Sequence, residues 1–135
     1  MWEWRDAWIL QSVVGGGSRR SRDLADVIGA ADFINVDIPS RDDLETSVNR
    51  LSAAGLVVAE GKTLRATRAG RHLVRKAGGG RSRVRELPPL IETELRRLPF
   101  PEIVGTWSLS HAEWQQAYDR YYPPEKRAAD RPAGN

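Results

Sequence analysis

The chain has 135 residues, 40% of them hydrophobic, no cysteine and a formal net charge of +3. That suffices for one domain with a core and an appendage rather than a two-domain enzyme, and the missing cysteine excludes a disulfide framework, thiolate chemistry and a cysteine-ligated metal site. The apolar run Trp8 to Val14 is broken by Gln11 and Ser12, and acidic Glu3 and Asp6 stand where a signal segment is basic, so a soluble, cytoplasmic protein without membrane contact is expected.

In chain order, Trp2 to Val14 carries apolar side chains nearly all around a helical wheel, with Trp4, Ala7 and Trp8 on one side and Trp2, Ile9 and Val13 on another. Such a helix requires burial on more than one face, between the core and the C-terminal part or in a dimer interface. Gly15 to Ser18 with Arg19 and Arg20 reads as a flexible basic loop. A second helix follows, with Ser21 as its cap, Asp23 near its positive end and Leu24, Val27, Ile28, Ala31 and Ile34 as its apolar face. Phe33 lies opposite that stripe, either plugging the next turn or exposed for a partner. The turn is Val36 to Pro39, and Ser40 with Asp43 three residues on forms a capping box for a third helix.

In that helix Leu44, Val48 and Leu51 share a face, and Gly55 stops it. Leu56, Val57 and Val58 form a strand, Glu60-Gly61-Lys62 a turn and Thr63 to Thr67 the return strand, with Leu64 and Ala66 on one side. Thr67 caps a helix over Arg68 to Ala77. Gly78 to Gly80 reads as a linker, and Arg81, Arg83 and Arg85 at alternate positions as an extended arm. Leu87, Leu90, Ile91, Leu95 and Leu98 describe a further helix, opened by Pro88 and Pro89 and stopped by Pro99 to Pro101. A last helix starts at Ser110 with Glu113 as its capping box, carries Trp114, Ala117, Tyr118 and Tyr121, and ends at Pro123 and Pro124. The tail beyond is expected to be disordered.

The stretch Leu44 to Val74, LETSVNRLSAAGLVVAEGKTLRATRAGRHLV, resembles the recognition helix, wing and following helix of the MarR and PadR families of bacterial transcriptional regulators. Leu51, Gly55, Leu56, Thr67, Gly70 and Leu73 carry the resemblance. It implies a mainly α fold with a small β-hairpin wing (α+β), a winged helix-turn-helix with C-terminal helices. The expected organisation is a winged helix-turn-helix domain over 1–77, a Gly/Arg-rich linker over 78–86, a helical extension for packing or dimerisation over 87–122, and a disordered tail over 123–135. In such families the helices after the wing commonly build a homodimer, and the Leu87 to Leu98 stripe suits that role; the same helix can equally fold back on the Trp-rich first helix.

Charge points to a partner. Residues 61–85 hold nine cations and no acid, whereas residues 1–60 hold six arginines against ten acids. Arg68, Arg71 and Arg75 share one helical face, which is what contact with duplex DNA phosphates needs. The expected DNA-binding residues are therefore Arg41, Thr46, Asn49 and Arg50 on the third helix as base readers, Lys62 and Arg65 on the wing, and Arg68, Arg71 and Arg75 on the backbone. Asp42, Asp43 and Glu45 would face the phosphates of a groove, although acids in a first turn are also ordinary helix-dipole chemistry. They support a second reading, a protein-interaction module that meets its partner through the acidic third helix and exposed aromatics. His72 and His111 lie on different helices with no metal-ligand neighbour, and neither Gly run has phosphate-cradle spacing. No catalytic site, metal or cofactor is expected.

Overall fold

The structure is a computed structural model and describes residues 1–15, 20–79, 83–102 and 105–130. The chain runs α1 (Trp4–Val14), β1 (Arg22–Asp23), α2 (Leu24–Asn35), α3 (Arg41–Ala53), β2 (Val57–Glu60), β3 (Thr63–Ala66), α4 (Arg68–Gly78), a 3-10 turn (Val84–Glu86), α5 (Leu87–Leu95), α6 (His111–Tyr121) and α7 (Pro124–Ala129). It is mainly helical with one small antiparallel sheet.

The all-round apolar wheel of the first helix makes α1 the central post. Every residue from Asp6 to Val14 is buried, and α2, α3, α4 and α5 all pack on it. Each fully buried Ile, Leu or Val there contributes about 1.5 to 3 kcal/mol of transfer free energy. Trp8 also donates its indole N–H to the Ala31 carbonyl at 2.9 Å, so α2 is held by direction as well as by area.

The sheet has strand order β1-β3-β2, with Arg22 opposite Leu64 and Val57 opposite Ala66. β1 is too short for its alternation to be read from sequence. Its pairing corrects one expectation. With Arg22 and Asp23 extended against β3, the cap of α2 is Asp23, which accepts from the Asp26 N–H at 2.9 Å, and not Ser21. The predicted stripe of α2 is otherwise the buried one, and Phe33 stays exposed. The Ser40–Asp43 capping box opens α3, with Asp43 N–H donating to Ser40 Oγ at 3.0 Å and Ser40 N–H to Asp43 Oδ2 at 3.1 Å. Thr67 caps α4 by accepting the Gly70 N–H at 3.1 Å. Gly70 has a second constraint: a Cβ there would lie 2.2 Å from the Leu56 carbonyl oxygen, so only glycine lets α4 approach the start of β2.

Two expectations for the C-terminal part are corrected. The arm around Arg83 and Arg85 is not extended: Val84–Glu86 is a 3-10 turn, and Arg85 Nε donates to the Phe33 carbonyl at 3.0 Å with its guanidinium over the Phe33 ring. The tail is ordered over α7, where Arg127 pairs with Asp119 at 2.6 Å and lies over the Tyr118 ring. The Gly16–Ser18 part of the first loop, Arg19, Gly80 and Arg81 lie outside the described residues. α5 folds back on α1 and α4, burying Ile91 and Leu95 fully and leaving Leu90 and Leu98 part-exposed. α6 packs on α2, where the Tyr121 hydroxyl donates to Asp32 at 2.6 Å; that bond and burial push the phenol up to about 12. No helix among the described residues is long and apolar enough to cross a membrane.

Candidate nucleic-acid interface

The sequence-predicted contact residues fall into three groups, and each group has a different fate in the fold. The first is the outer side of α3 together with the β2–β3 turn. An extended segment, residues 105–109, crosses this surface. Asn49 is buried and pairs with Trp107 as one strand pairs with another, its Nδ2 donating to the Trp107 carbonyl at 2.8 Å and its Oδ1 accepting the Trp107 N–H at 2.8 Å. One turn earlier, Glu45 accepts the Leu109 N–H at 2.8 Å, while Arg41 Nη1 donates to the Leu109 carbonyl at 2.7 Å and to Glu45 at 2.8 Å. The Leu109 bond leads, with Arg41 adding to it against the cost of burial, in holding the Glu45 carboxyl below its usual range.

The turn between the strands is fastened to the same segment. Trp107 donates its indole N–H to the Gly61 carbonyl at 2.7 Å. Lys62 bonds the Ser108 carbonyl, lies over the Trp107 ring and pairs with Glu113 at 3.3 Å. Glu113 is itself held below its usual range, first by the Ser110 N–H. Trp114 completes the closure by donating to the Pro39 carbonyl at 3.0 Å, ahead of α3. Arg41, Asn49 and Lys62, expected to face a duplex, thus hold the chain's own backbone.

Arg50 forms the second group. It turns toward α1, where it lies 3.2 Å from Asp6, a carboxylate with no solvent exposure that also accepts from Ser47 Oγ at 2.8 Å and from the Glu3 N–H at 2.8 Å. Its guanidinium also covers Phe100, 5.4 Å from the ring centroid. A buried carboxylate needs a paired cation and hydrogen bonds, and Arg50 supplies the cation. Thr46 is half-buried, and Arg65 lies 3.5 Å from Glu60 across the hairpin.

The third group is assembled as the helical spacing predicts. Arg68, Arg71, His72 and Arg75 on α4 line one open concavity of about 450 Å³, with no acid among them. The opposite face of α4 is seated by Gly70, Leu73 and Val74 in the core. Arg71 Nη1 donates to the Ala66 carbonyl at 2.9 Å, a neutral acceptor that leaves its charge uncompensated. The side chains of Arg68, His72 and Arg75 have no hydrogen bond or ion pair among the described residues. Such a surface can bind phosphates or another polyanion.

The crossing segment was missed from sequence. Its only signal is the short alternation Trp107-Ser108-Leu109, preceded by Gly105, whose lack of a side chain matters because a Cβ would lie 2.9 Å from Asn49 Oδ1. No cluster of three or more metal-ligating side chains occurs among the described residues. Comparison with known proteins finds no matching family model, no similar curated protein and no similar solved structure.

Proposed function

We propose that this chain is a winged-helix DNA-binding protein of the transcriptional-regulator kind that grips duplex DNA by its phosphates through α4. The observation that carries the reading is the concavity lined by Arg68, Arg71, His72 and Arg75 with no acid beside them. Support for the winged-helix part comes from the element order and from a sheet of order β1-β3-β2 whose β2–β3 hairpin follows α3 directly. With Asn49 and Arg41 bonded to residues 107 and 109, base reading by α3 is blocked while the crossing segment is in place. Binding is therefore dominated by the sequence-independent phosphate term. A cytoplasmic location goes with this reading, and the exposed Leu90 on α5 and Leu98 just beyond its end are the residues through which a homodimer would form.

The test is fluorescence anisotropy with random and self-promoter duplexes at two salt concentrations. Affinity should fall steeply with salt, and replacing Arg68, Arg71 and Arg75 by Ala should flatten the log–log slope by roughly one for each phosphate that is no longer neutralised. Binding that ignores salt or survives the triple substitution ends this reading.

A protein-interaction module is the second reading, favoured by Phe33 and Val36, which are 64% and 72% exposed beside one another at the end of α2. Its acidic-helix component has less support, because Asp43 caps α3 and Glu45 holds Leu109.

A further inference from the structure

Of the four side chains that line the α4 concavity, three are arginines, charged at any ordinary pH, and the fourth is His72, whose charge depends on pH. On the helix His72 follows Arg68 by four residues and precedes Arg75 by three, the spacings at which side chains are neighbours, and Arg71 stands beside it. The four positions span about 10.5 Å of helix axis, so phosphates seated along that face by the arginines meet His72 as well. The imidazole is exposed and makes no hydrogen bond or ion pair among the described residues.

The elements packed on α4 are α1, α5 and β3, and their charged groups are engaged elsewhere. β3 supplies the Ala66 carbonyl, already taken by Arg71, while its Arg65 pairs with Glu60 at 3.5 Å. On α5, Glu94 lies 3.6 Å from Lys76 and 3.4 Å from Arg97, and Glu92 pairs with Arg96 at 2.7 Å. On α1, Arg5 pairs with Asp43 at 3.4 Å and Asp6 with Arg50 at 3.2 Å. None of these groups lines the concavity, so a charged imidazole there gains an anionic partner only from a ligand. We infer that His72 is a fourth phosphate contact on α4, made when its imidazole is protonated, so that duplex binding takes up a proton there; this rests on the phosphate grip proposed above. The sign follows from linkage: a ligand that favours the protonated form binds more tightly as the pH falls. Imidazoles change charge between about pH 5 and 8, where arginines and DNA phosphates do not titrate. The grip is thereby set by acidity as well as by salt.

The experiment is fluorescence anisotropy of a random-sequence duplex with the full chain, over a salt series at about pH 6 and again at about pH 8, on either side of the ordinary imidazole value. The wild-type chain should bind about three- to tenfold more tightly at the lower pH, and its log–log salt slope should be steeper there by up to about 0.9, the value of one further neutralised phosphate. His72→Gln should give one slope at both pH values. His72→Lys should also give one slope, at the steeper value, because an ammonium is charged throughout that range. His111→Gln, which alters the chain's other histidine, on α6, should keep the wild-type difference. By NMR, the His72 ring should titrate at a higher pH with the duplex bound than without it. Equal wild-type slopes at the two pH values, or a pH difference that survives His72→Gln, would overturn the proposal and leave the α4 grip standing. Absence of salt-dependent binding at both pH values would end the two readings together.

Discussion

α3 carries two arginines and α4 three, together with Lys76, yet only α4 leaves its arginines without an acidic partner. On α3, Arg41 is bonded to Glu45 and the Leu109 carbonyl, and Arg50 faces the buried Asp6. On α4, Arg68 and Arg75 have no partner among the described residues and Arg71 has only a neutral one. Acids decide the difference. Arg41 of α3 is met by Asp42 and Glu45 of its own helix and Arg50 by Asp6 of α1, whereas residues 61–85 contain no acid. A count of cations measures charge; whether that charge is available to a ligand depends on which cations the fold has already used.

The contrast can be broken most severely at Asp6. Asp6→Ala leaves Arg50 without its buried partner and strands the Ser47 hydroxyl, and should cost about 3 kcal/mol in urea unfolding, near the low end for breaking a buried pair because Glu3 remains close to Arg50. A variant with wild-type stability would mean that Arg50 is not held inward.

Asn49→Ala should cost less, about 1 to 3 kcal/mol, by leaving the Trp107 N–H and carbonyl unpaired. Its more specific readout is the Trp107 backbone amide, whose hydrogen exchange should speed up well beyond that of the α1 core. If base reading by α3 requires the crossing segment to lift, Asn49→Ala should also leave salt-dependent duplex binding intact, since the α4 surface is untouched.

Acid should weaken the same attachment by a smaller amount. Glu45 is held below its ordinary value of 4.5 in the folded chain, so the unfolded chain takes up a proton first. The stabilisation it gives is present above about pH 4.5 and is lost as the pH falls through the folded value. The indole N–H resonance of Trp107 should therefore move toward its unfolded position in that acid range, and Glu45→Gln should remove the transition. A Trp107 signal indifferent to acid would show that the Leu109 bond does not secure the segment.

Least of all for stability, Arg68→Ala, Arg71→Ala and Arg75→Ala should each change the unfolding free energy by no more than about 0.5 kcal/mol, because these side chains lie on the solvent side of α4. Together they should nonetheless produce the largest loss of duplex affinity. A large stability loss would move these arginines from the ligand-binding to the structural side of the comparison.

Local chemistry was legible in the sequence. Ser40 with Asp43, Thr67, and Ser110 with Glu113 each cap a helix where their spacing placed them, because a cap depends on atoms within three residues. The buried faces of α2 and α3 and the all-round burial of α1 follow from periodicity for the same reason. Where an expectation depended on a distant partner it failed or stayed open: Ser21 gave way to Asp23 once β1 paired with β3, and the residues after Pro123 formed α7 against Asp119 and Tyr118.

For the candidate site the division is sharper. The helical spacing of Arg68, Arg71 and Arg75, in a stretch without acids, was enough to place them on one face. That face could be read from sequence because it needs only the geometry of a single helix. Tertiary structure alone decided that Asn49, Arg41 and Lys62 hold residues 107 to 109, partners 46 to 68 positions away along the chain. It likewise buried Gln11 and set its amide on the Val84 carbonyl, 73 positions away. An Asn or Gln amide pairs equally well with a base edge, a ligand or a strand of backbone, and which of these it meets is set by what the rest of the chain brings within hydrogen-bonding distance.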